Sequence, residues 1–166
     1  MFTINEEMTS AETLDRAIDS EKLAYDWYSH VSRLCRENGA VDMAELFGDS
    51  AEMEKAHFER LVAVKRLVAP RFARAVADID QWKVERASMS PEAEDVKREL
   101  AAGVSLDRAI EFMREVELEA ERFYLLAAER ARDKHLYDIF MTLAEEEYNH
   151  VREVEMIGEK HKRSRK

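Results

Sequence analysis

The sequence predicts an all-α fold, a four-helix bundle made of two antiparallel helical hairpins that are joined by a long, partly helical crossover. Three observations lead to this prediction. The 166 residues include only four glycines and two prolines, and no stretch alternates apolar and polar residues as β-strands do. Apolar residues recur at helical spacing over four long stretches. The second half of the chain also repeats a pattern found in the first half.

The first hairpin has clear start and stop signals. Its first helix is predicted over residues 10–37, because Thr9 and Glu12 form a capping box before it and Asn38-Gly39 is a strong stop after it. The second helix is predicted over residues 41–69, since a proline follows and disfavours the helical conformation just before it.

A long connection and a second hairpin follow. The connection covers residues 70–104, and part of it has the apolar spacing of a short helix. Two antiparallel hairpins that present matching faces to each other need such a crossover. The third helix is predicted over residues 105–132 and the fourth over residues 134–158.

These elements predict one domain over residues 1–158, with hairpins at 10–69 and 105–158. Residues 159–166 are expected to form a basic disordered tail, because they lack an apolar pattern and follow a glycine.

A heptapeptide with the motif Glu-x-x-His occurs twice, 93 residues apart. The copies are Ala51-Glu52-Met53-Glu54-Lys55-Ala56-His57 and Ala144-Glu145-Glu146-Glu147-Tyr148-Asn149-His150. Residues i and i+3 lie on one face of a helix, so the glutamate and the histidine of each copy can bind one metal ion. A single copy would be weak evidence in so glutamate-rich a chain. Its recurrence, with apolar neighbours in register, indicates an internal duplication.

A second repeated pattern precedes each Glu-x-x-His motif. Glu21 is followed seven residues later by Tyr28, and Glu117 is followed seven residues later by Tyr124. Seven residues make almost two helical turns, so each glutamate shares a helix face with its tyrosine. The tyrosines are candidates for hydrogen bonding to a ligand carboxylate or for a redox relay. The alternative is that both are core residues.

Six residues are therefore predicted to be metal ligands that face inward at the middle of the bundle: Glu21, Glu54, His57, Glu117, Glu147 and His150. Four carboxylates and two imidazoles suit two first-row metal ions, and they favour iron or manganese over metals that prefer soft ligands. Burying four carboxylates without cations would be very unfavourable. Taken singly, each residue is more typical of a solvated glutamate or a partnered core histidine. The symmetry of the set favours a metal site.

These motifs resemble the ferritin-like superfamily, specifically its rubrerythrin or erythrin-like branch, over about residues 10–158. The resemblance implies a ferritin-like bundle with a di-iron centre, two Fe ions, at the six residues above, with manganese as an alternative. It also implies an oxidoreductase that reduces hydrogen peroxide or dioxygen and so acts against oxidative stress. Complete rubrerythrins carry a rubredoxin-like domain with paired Cys-x-x-Cys motifs, whereas this chain has one cysteine, Cys35. We therefore expect a separate redox donor, such as a rubredoxin-like protein. Ala120 stands where the family tends to place a further glutamate.

Three other functions stay open at this point. The site could serve iron handling, with ferrous iron oxidised and then stored or passed on. It could be a non-catalytic, metal-stabilised helical module. Manganese catalase-like chemistry would use the same ligands.

The net charge and the composition limit the classes of partner that this protein can bind. The net charge of −10 repels nucleic acid and favours cations near the surface. The first ten residues lack the apolar core of a signal peptide, and no run of 18 apolar residues occurs. We expect a soluble cytoplasmic protein that binds neither nucleic acid nor membranes and forms a homodimer by default.

Overall fold

The computed structural model describes residues 9–68 and 106–164, together with residues 95, 98 and 99. Four long helices make up these two ranges: α1 (Ser10–Glu37), α2 (Val41–Val68), α3 (Leu106–Arg130) and α4 (Lys134–Ser164). Helices α1 and α2 pack together in one compact unit, and α3 and α4 pack together in another. The described part of the chain contains no strand, which confirms the all-α fold. The crossover predicted over residues 70–104 lies outside the described residues, apart from 95, 98 and 99.

The first hairpin begins and turns as its sequence predicts. The backbone N–H of Thr9 donates to Oε2 of Glu12 at 2.8 Å, and Thr9 Oγ1 accepts from the backbone N–H of Glu12 at 3.3 Å, which completes the capping box. At the other end of α1, Gly39 has a φ of +76°, a conformation that glycine adopts without steric strain. These two local signals explain why α1 has the bounds that were predicted.

The helices of the first hairpin approach each other closely near this bend. The buried Ser32 hydroxyl donates to the carbonyl oxygen of Ala44 at 2.6 Å. A Cβ atom on Gly48 would lie 3.3 Å from Ser32 Oγ, so glycine is the residue that leaves room for this contact. The close approach brings the inward faces of α1 and α2 together further along the hairpin.

The second hairpin turns through a short bend. Asp133 Oδ1 accepts from the backbone N–H of His135 at 2.8 Å, which satisfies one of the free donors at the start of α4. The described helices of this hairpin begin and end within two residues of the predicted positions, except at the end of α4.

Helix α4 ends at Ser164, not at Gly158, so the disordered tail predicted from residue 159 is wrong for residues 159–164. Gly158 is buried, and a Cβ atom there would lie 3.2 Å from Cγ2 of Ile110. The glycine therefore serves close packing against α3 and does not end the helix. The basic residues that follow, including Lys162 and Arg163, interact favourably with the negative end of the helix dipole.

No helix in the described ranges has an apolar stretch of the length that a membrane crossing needs.

Candidate metal centre

The first hairpin brings its three predicted ligands together. Glu21 comes from α1, while Glu54 and His57 come from α2. Nδ1 of His57 lies 3.5 Å from Oε2 of Glu21 and 3.7 Å from Oε2 of Glu54, and all three side chains are buried. Each residue offers one ligand atom within 4.8 Å of those of the other two, a spacing at which a metal ion can be bound. We call this set the first cluster.

The second hairpin repeats the arrangement with its own three ligands. Nδ1 of His150 lies 3.0 Å from Oε2 of Glu147 on the same helix and 3.6 Å from Oε2 of Glu117 on α3. All three side chains are again buried, and their ligand atoms also lie within 4.8 Å of one another. We call this set the second cluster. The structure thus brings together the predicted ligands of each hairpin.

Ionisation in the second cluster departs strongly from that of the free side chains. Burial disfavours the charged carboxylate and, with the nearby charge of Glu147, raises the pKa of Glu117 from 4.5 to about 7, although His150 opposes this rise. Burial also disfavours the imidazolium of His150. The carboxylates of Glu117 and Glu147 outweigh that effect and raise the pKa of His150 to about 10. The metal-free cluster therefore holds protons tightly.

A divalent cation is the natural replacement for these protons. Two ionised carboxylates and one imidazole carry a formal charge of −2, or −1 when the histidine is protonated, so each cluster attracts a cation. Metal ions bind carboxylate and imidazole in their deprotonated forms, and binding therefore releases protons. The oxygen and nitrogen donors suit iron and manganese. The residues present fit a metal ion in both clusters.

Tyr28 and Tyr124, predicted to assist the metal site, are fully buried in aromatic surroundings that are alike in the two hairpins. The Tyr28 ring centroid lies 6.1 Å from that of Phe47, and the Tyr124 centroid lies 6.1 Å from that of Phe140. These contacts account for core packing. The role of either tyrosine in hydrogen bonding or electron transfer stays a prediction.

Two further aromatic residues belong to this duplication: Trp27, which the sequence predicts to be a packing residue, and Phe123, which the sequence did not relate to it. Trp27 lies 5.4 Å from Tyr28 in an edge-on contact, and Phe123 lies 5.2 Å from Tyr124 in the same geometry, measured between ring centroids. Trp27 and Phe123 are 96 residues apart, the offset that also relates Glu21 to Glu117. The shared offset is the signal in the sequence that relates these two aromatic residues.

The neighbouring glutamates in each motif point away from the clusters. Glu52 and Glu145 are exposed, as expected for residues off the inner face, and Glu52 pairs with Lys55 at 3.2 Å. Glu52 and Glu145 therefore provide matched controls for the predicted ligands Glu54 and Glu147, which lie two residues further along each helix.

Two helical hairpins, each with a buried cluster of two glutamates and one histidine, define a class of all-α carboxylate proteins that bind metal ions. Comparison with known families places the chain within this class. The rubrerythrin family model matches residues 12–157, and the chain therefore belongs to the rubrerythrin family.

Comparison with solved structures supports the same fold. The chain is similar to a conserved protein, described as uncharacterized, from Magnetospirillum magnetotacticum MS-1, whose crystal structure was determined at 2.00 Å resolution. The TM-score is 0.70 at 24% sequence identity, over 92% of this chain and 95% of that one. Together these findings confirm the predicted fold class, an all-α ferritin-like four-helix bundle. None of the curated proteins matches this chain.

Proposed function

We propose that this protein is a non-haem di-iron oxidoreductase that reduces hydrogen peroxide or dioxygen with electrons from an external donor. The observation that carries the proposal is the duplicated buried cluster of two glutamates and one histidine, one in each hairpin. Membership of the rubrerythrin family supports it, since that family usually carries di-iron oxidoreductase activity.

Each cluster would hold one iron ion. Glu21, Glu54 and His57 would bind the first, and the corresponding residues of the second cluster would bind the other. A pair of ferrous ions supplies the two electrons that, with two protons, convert hydrogen peroxide to two molecules of water. The carboxylates neutralise the charge of the ions, and burial of the ligands excludes bulk water from the site.

The histidines and tyrosines have separate tasks in this proposal. His57 and His150 supply neutral nitrogen donors that differ from the oxygen donors around them. Tyr28 and Tyr124 lie on the ligand-bearing faces of their helices and are proposed to orient a ligand carboxylate through their hydroxyl groups. A Tyr28→Phe variant should then keep its metal and lose rate.

The electrons are proposed to reach the site from another molecule. The chain contains a single cysteine, Cys35, which is buried, and it has no paired Cys-x-x-Cys motif for a rubredoxin-type iron centre. A separate protein of the rubredoxin type is the proposed donor.

The test uses protein loaded with ferrous iron under anaerobic conditions and a chemical reductant in place of the natural donor. Glu54→Gln and Glu147→Gln each remove one ligand charge, whereas Glu52→Gln and Glu145→Gln remove an exposed charge two residues away. We expect the two ligand variants to lose at least about tenfold in peroxide or dioxygen reduction and in metal affinity. The two control variants should match the wild type.

Two results would contradict this proposal. Equal rates in the ligand and control variants would show that the clusters do not take part in the reaction. Iron retained far beyond two ions per chain, without reduction of peroxide or dioxygen beyond what iron oxidation consumes, would indicate iron storage. If the protein contains manganese in place of iron, the same ligand and control variants should be compared for manganese-dependent reaction with peroxide.

A further inference from the structure

Buried serine and threonine side chains are distributed unequally between the two hairpins. The first hairpin buries four of them, Thr13, Ser20, Ser32 and Ser50. In the part of the second hairpin that the structure describes, the three predicted ligands are the only buried polar residues apart from tyrosine. The two hairpins therefore share the predicted metal ligands but differ in the polarity of the residues around them.

Ser50 shares the inner face of α2 with two predicted ligands. It comes one helical turn before Glu54, and on a helix of 3.6 residues per turn its direction falls between those of Glu54 and His57. Only 3% of the surface of Ser50 is exposed. Side chains in a helix lean towards its N-terminus, so the side chain of Glu54 extends over the turn that carries Ser50. The Cβ atoms of such a pair lie about 5 to 6 Å apart, a separation that a hydroxyl and a carboxylate can span.

The other three buried hydroxyl groups are less well placed to act on a ligand. Those of Thr13 and Ser32 donate to backbone carbonyl oxygens at 3.0 and 2.6 Å. Ser20 comes directly before Glu21 in the chain, which places it about 100° around α1 from that ligand. Ser50 is therefore the hydroxyl residue whose position on its helix best suits a contact with a metal ligand.

The corresponding position of the second hairpin is apolar. The offset of 93 residues that aligns the two Glu-x-x-His motifs relates Ser50 to Leu143, which is fully buried one turn before Glu147. The neighbouring Thr142 does not replace the hydroxyl, because it is exposed and donates to the backbone carbonyl oxygen of Asp138 at 2.9 Å. Since leucine has no group that donates a hydrogen bond, the residue one turn before Glu147 cannot orient that carboxylate.

We propose that Ser50 positions the carboxylate of Glu54 for metal binding, so that the first cluster binds its ion more tightly than the second cluster does. This inference rests on the proposed function only for the binding of one ion by each cluster, and it does not depend on the reaction. A hydrogen bond from the Ser50 hydroxyl holds the Glu54 carboxylate in one orientation, so less conformational freedom is lost when the ion binds. Removing such a partner of a metal ligand typically lowers metal affinity by about 10- to 100-fold.

Unequal affinity gives the two clusters an order of filling. When iron is limiting, the first cluster fills before the second, and a chelator removes the ion of the second cluster first. The proposed reduction of peroxide uses the electrons of two ferrous ions. Occupancy of the second cluster therefore sets the fraction of the protein that is active.

The first experiment measures the affinity of each ion separately, by anaerobic titration of ferrous iron against a competing chelator. Glu147→Gln leaves the ion of the first cluster, and Glu54→Gln leaves the ion of the second cluster. We expect the ion that remains in Glu147→Gln to bind about tenfold more tightly than the ion that remains in Glu54→Gln.

The second experiment adds Ser50→Ala to each of these variants. In Glu147→Gln it should lower the affinity of the remaining ion by about tenfold or more. In Glu54→Gln it should lower the affinity by less than about twofold, because the carboxylate that Ser50 positions is absent. Ser50→Thr keeps the hydroxyl and should retain most of the affinity. Ser32→Ala is the matched control, because Ser32 is a buried serine that lies about 16 Å along α1 from Glu21, and it should leave both affinities unchanged.

Two results would overturn the inference while iron still binds. One is an equal effect of Ser50→Ala in the two variants, which is the result expected of a serine that serves only the fold. The other is an ion in Glu54→Gln that binds at least as tightly as the ion in Glu147→Gln. A chain that binds no iron would overturn both this inference and the proposed function. A chain that shows the expected affinities without reducing peroxide or dioxygen would refute the proposed function and support the role of Ser50.

Discussion

Replacing Glu117 with glutamine should stabilise the metal-free protein at alkaline pH and weaken the metal-loaded protein. Glu117 is fully buried, and its pKa rises from 4.5 to about 7 on folding. Between pH 4.5 and pH 7, the folded protein therefore holds a proton on Glu117 that the unfolded protein has lost. The contribution of Glu117 to the stability of the metal-free protein should fall as pH rises from about 4.5 to 7 and should then stay at that lower level at higher pH.

The size of the effect follows from the same pKa difference, which corresponds to about 3 kcal/mol. Glutamine keeps the shape of the protonated carboxyl and removes this penalty. His150, however, loses one of its two carboxylate partners in the variant. We therefore compare the change in the free energy of unfolding that Glu117→Gln causes at the two pH values. We expect this change to be more stabilising at pH 8 than at pH 5 by about 1 to 3 kcal/mol.

The assay is urea denaturation in the presence of a chelator at pH 5 and pH 8, repeated at pH 8 with bound iron under anaerobic conditions. Glu115→Gln, an exposed position on the same helix, is the control and should change stability by less than about 0.5 kcal/mol. With iron bound, Glu117→Gln should be the less stable protein because it lacks a ligand. If the effect of Glu117→Gln on the metal-free protein is no more stabilising at pH 8 than at pH 5, the electrostatic reasoning is refuted.

Three predictions concern the fold, and each is checked by urea denaturation of the metal-free protein. Leu143→Ala, in the core, should lower the free energy of unfolding by about 2 to 5 kcal/mol, whereas the exposed Leu67→Ala should change it by less than about 0.5 kcal/mol. Gly158→Val should lower it by about 1 to 3 kcal/mol because the new side chain meets Ile110, and an unchanged value would show that the helices can separate there. Thr9→Ala should lower it by about 1 kcal/mol through loss of the helix cap, and no loss would mean that the cap is dispensable.

The helix bounds of the first hairpin follow from sequence because their signals are local. The capping box at Thr9 and the turn at Asn38-Gly39 involve residues that are near neighbours in the chain. Gly158 shows the limit of such reasoning. Glycine is both a common helix stop and a residue that permits close packing. The choice depends on Ile110, which lies on another helix and 48 residues away in sequence.

The residues that meet in each cluster also follow from sequence, because the duplication separates them from the many other glutamates. Their geometry does not. The same Glu-x-x-His motif gives 3.7 Å between Glu54 and His57 but 3.0 Å between Glu147 and His150, measured from Oε2 to Nδ1. The pKa of His150 depends on such distances and on burial, and both are set by packing with the neighbouring helix. Spacing along the chain indicates which residues meet and leaves their energetics undetermined.

The most direct test of the central claim is the metal content of protein purified without oxygen, with the absorption spectrum recorded before and after one equivalent of hydrogen peroxide per iron pair. The duplicated clusters predict about two iron ions per chain and a new visible absorption that appears on mixing. Glu54→Gln should lose about one of these ions, while Glu52→Gln should keep both. A chain without metal, or one whose two iron ions leave the spectrum unchanged by peroxide, would contradict the account.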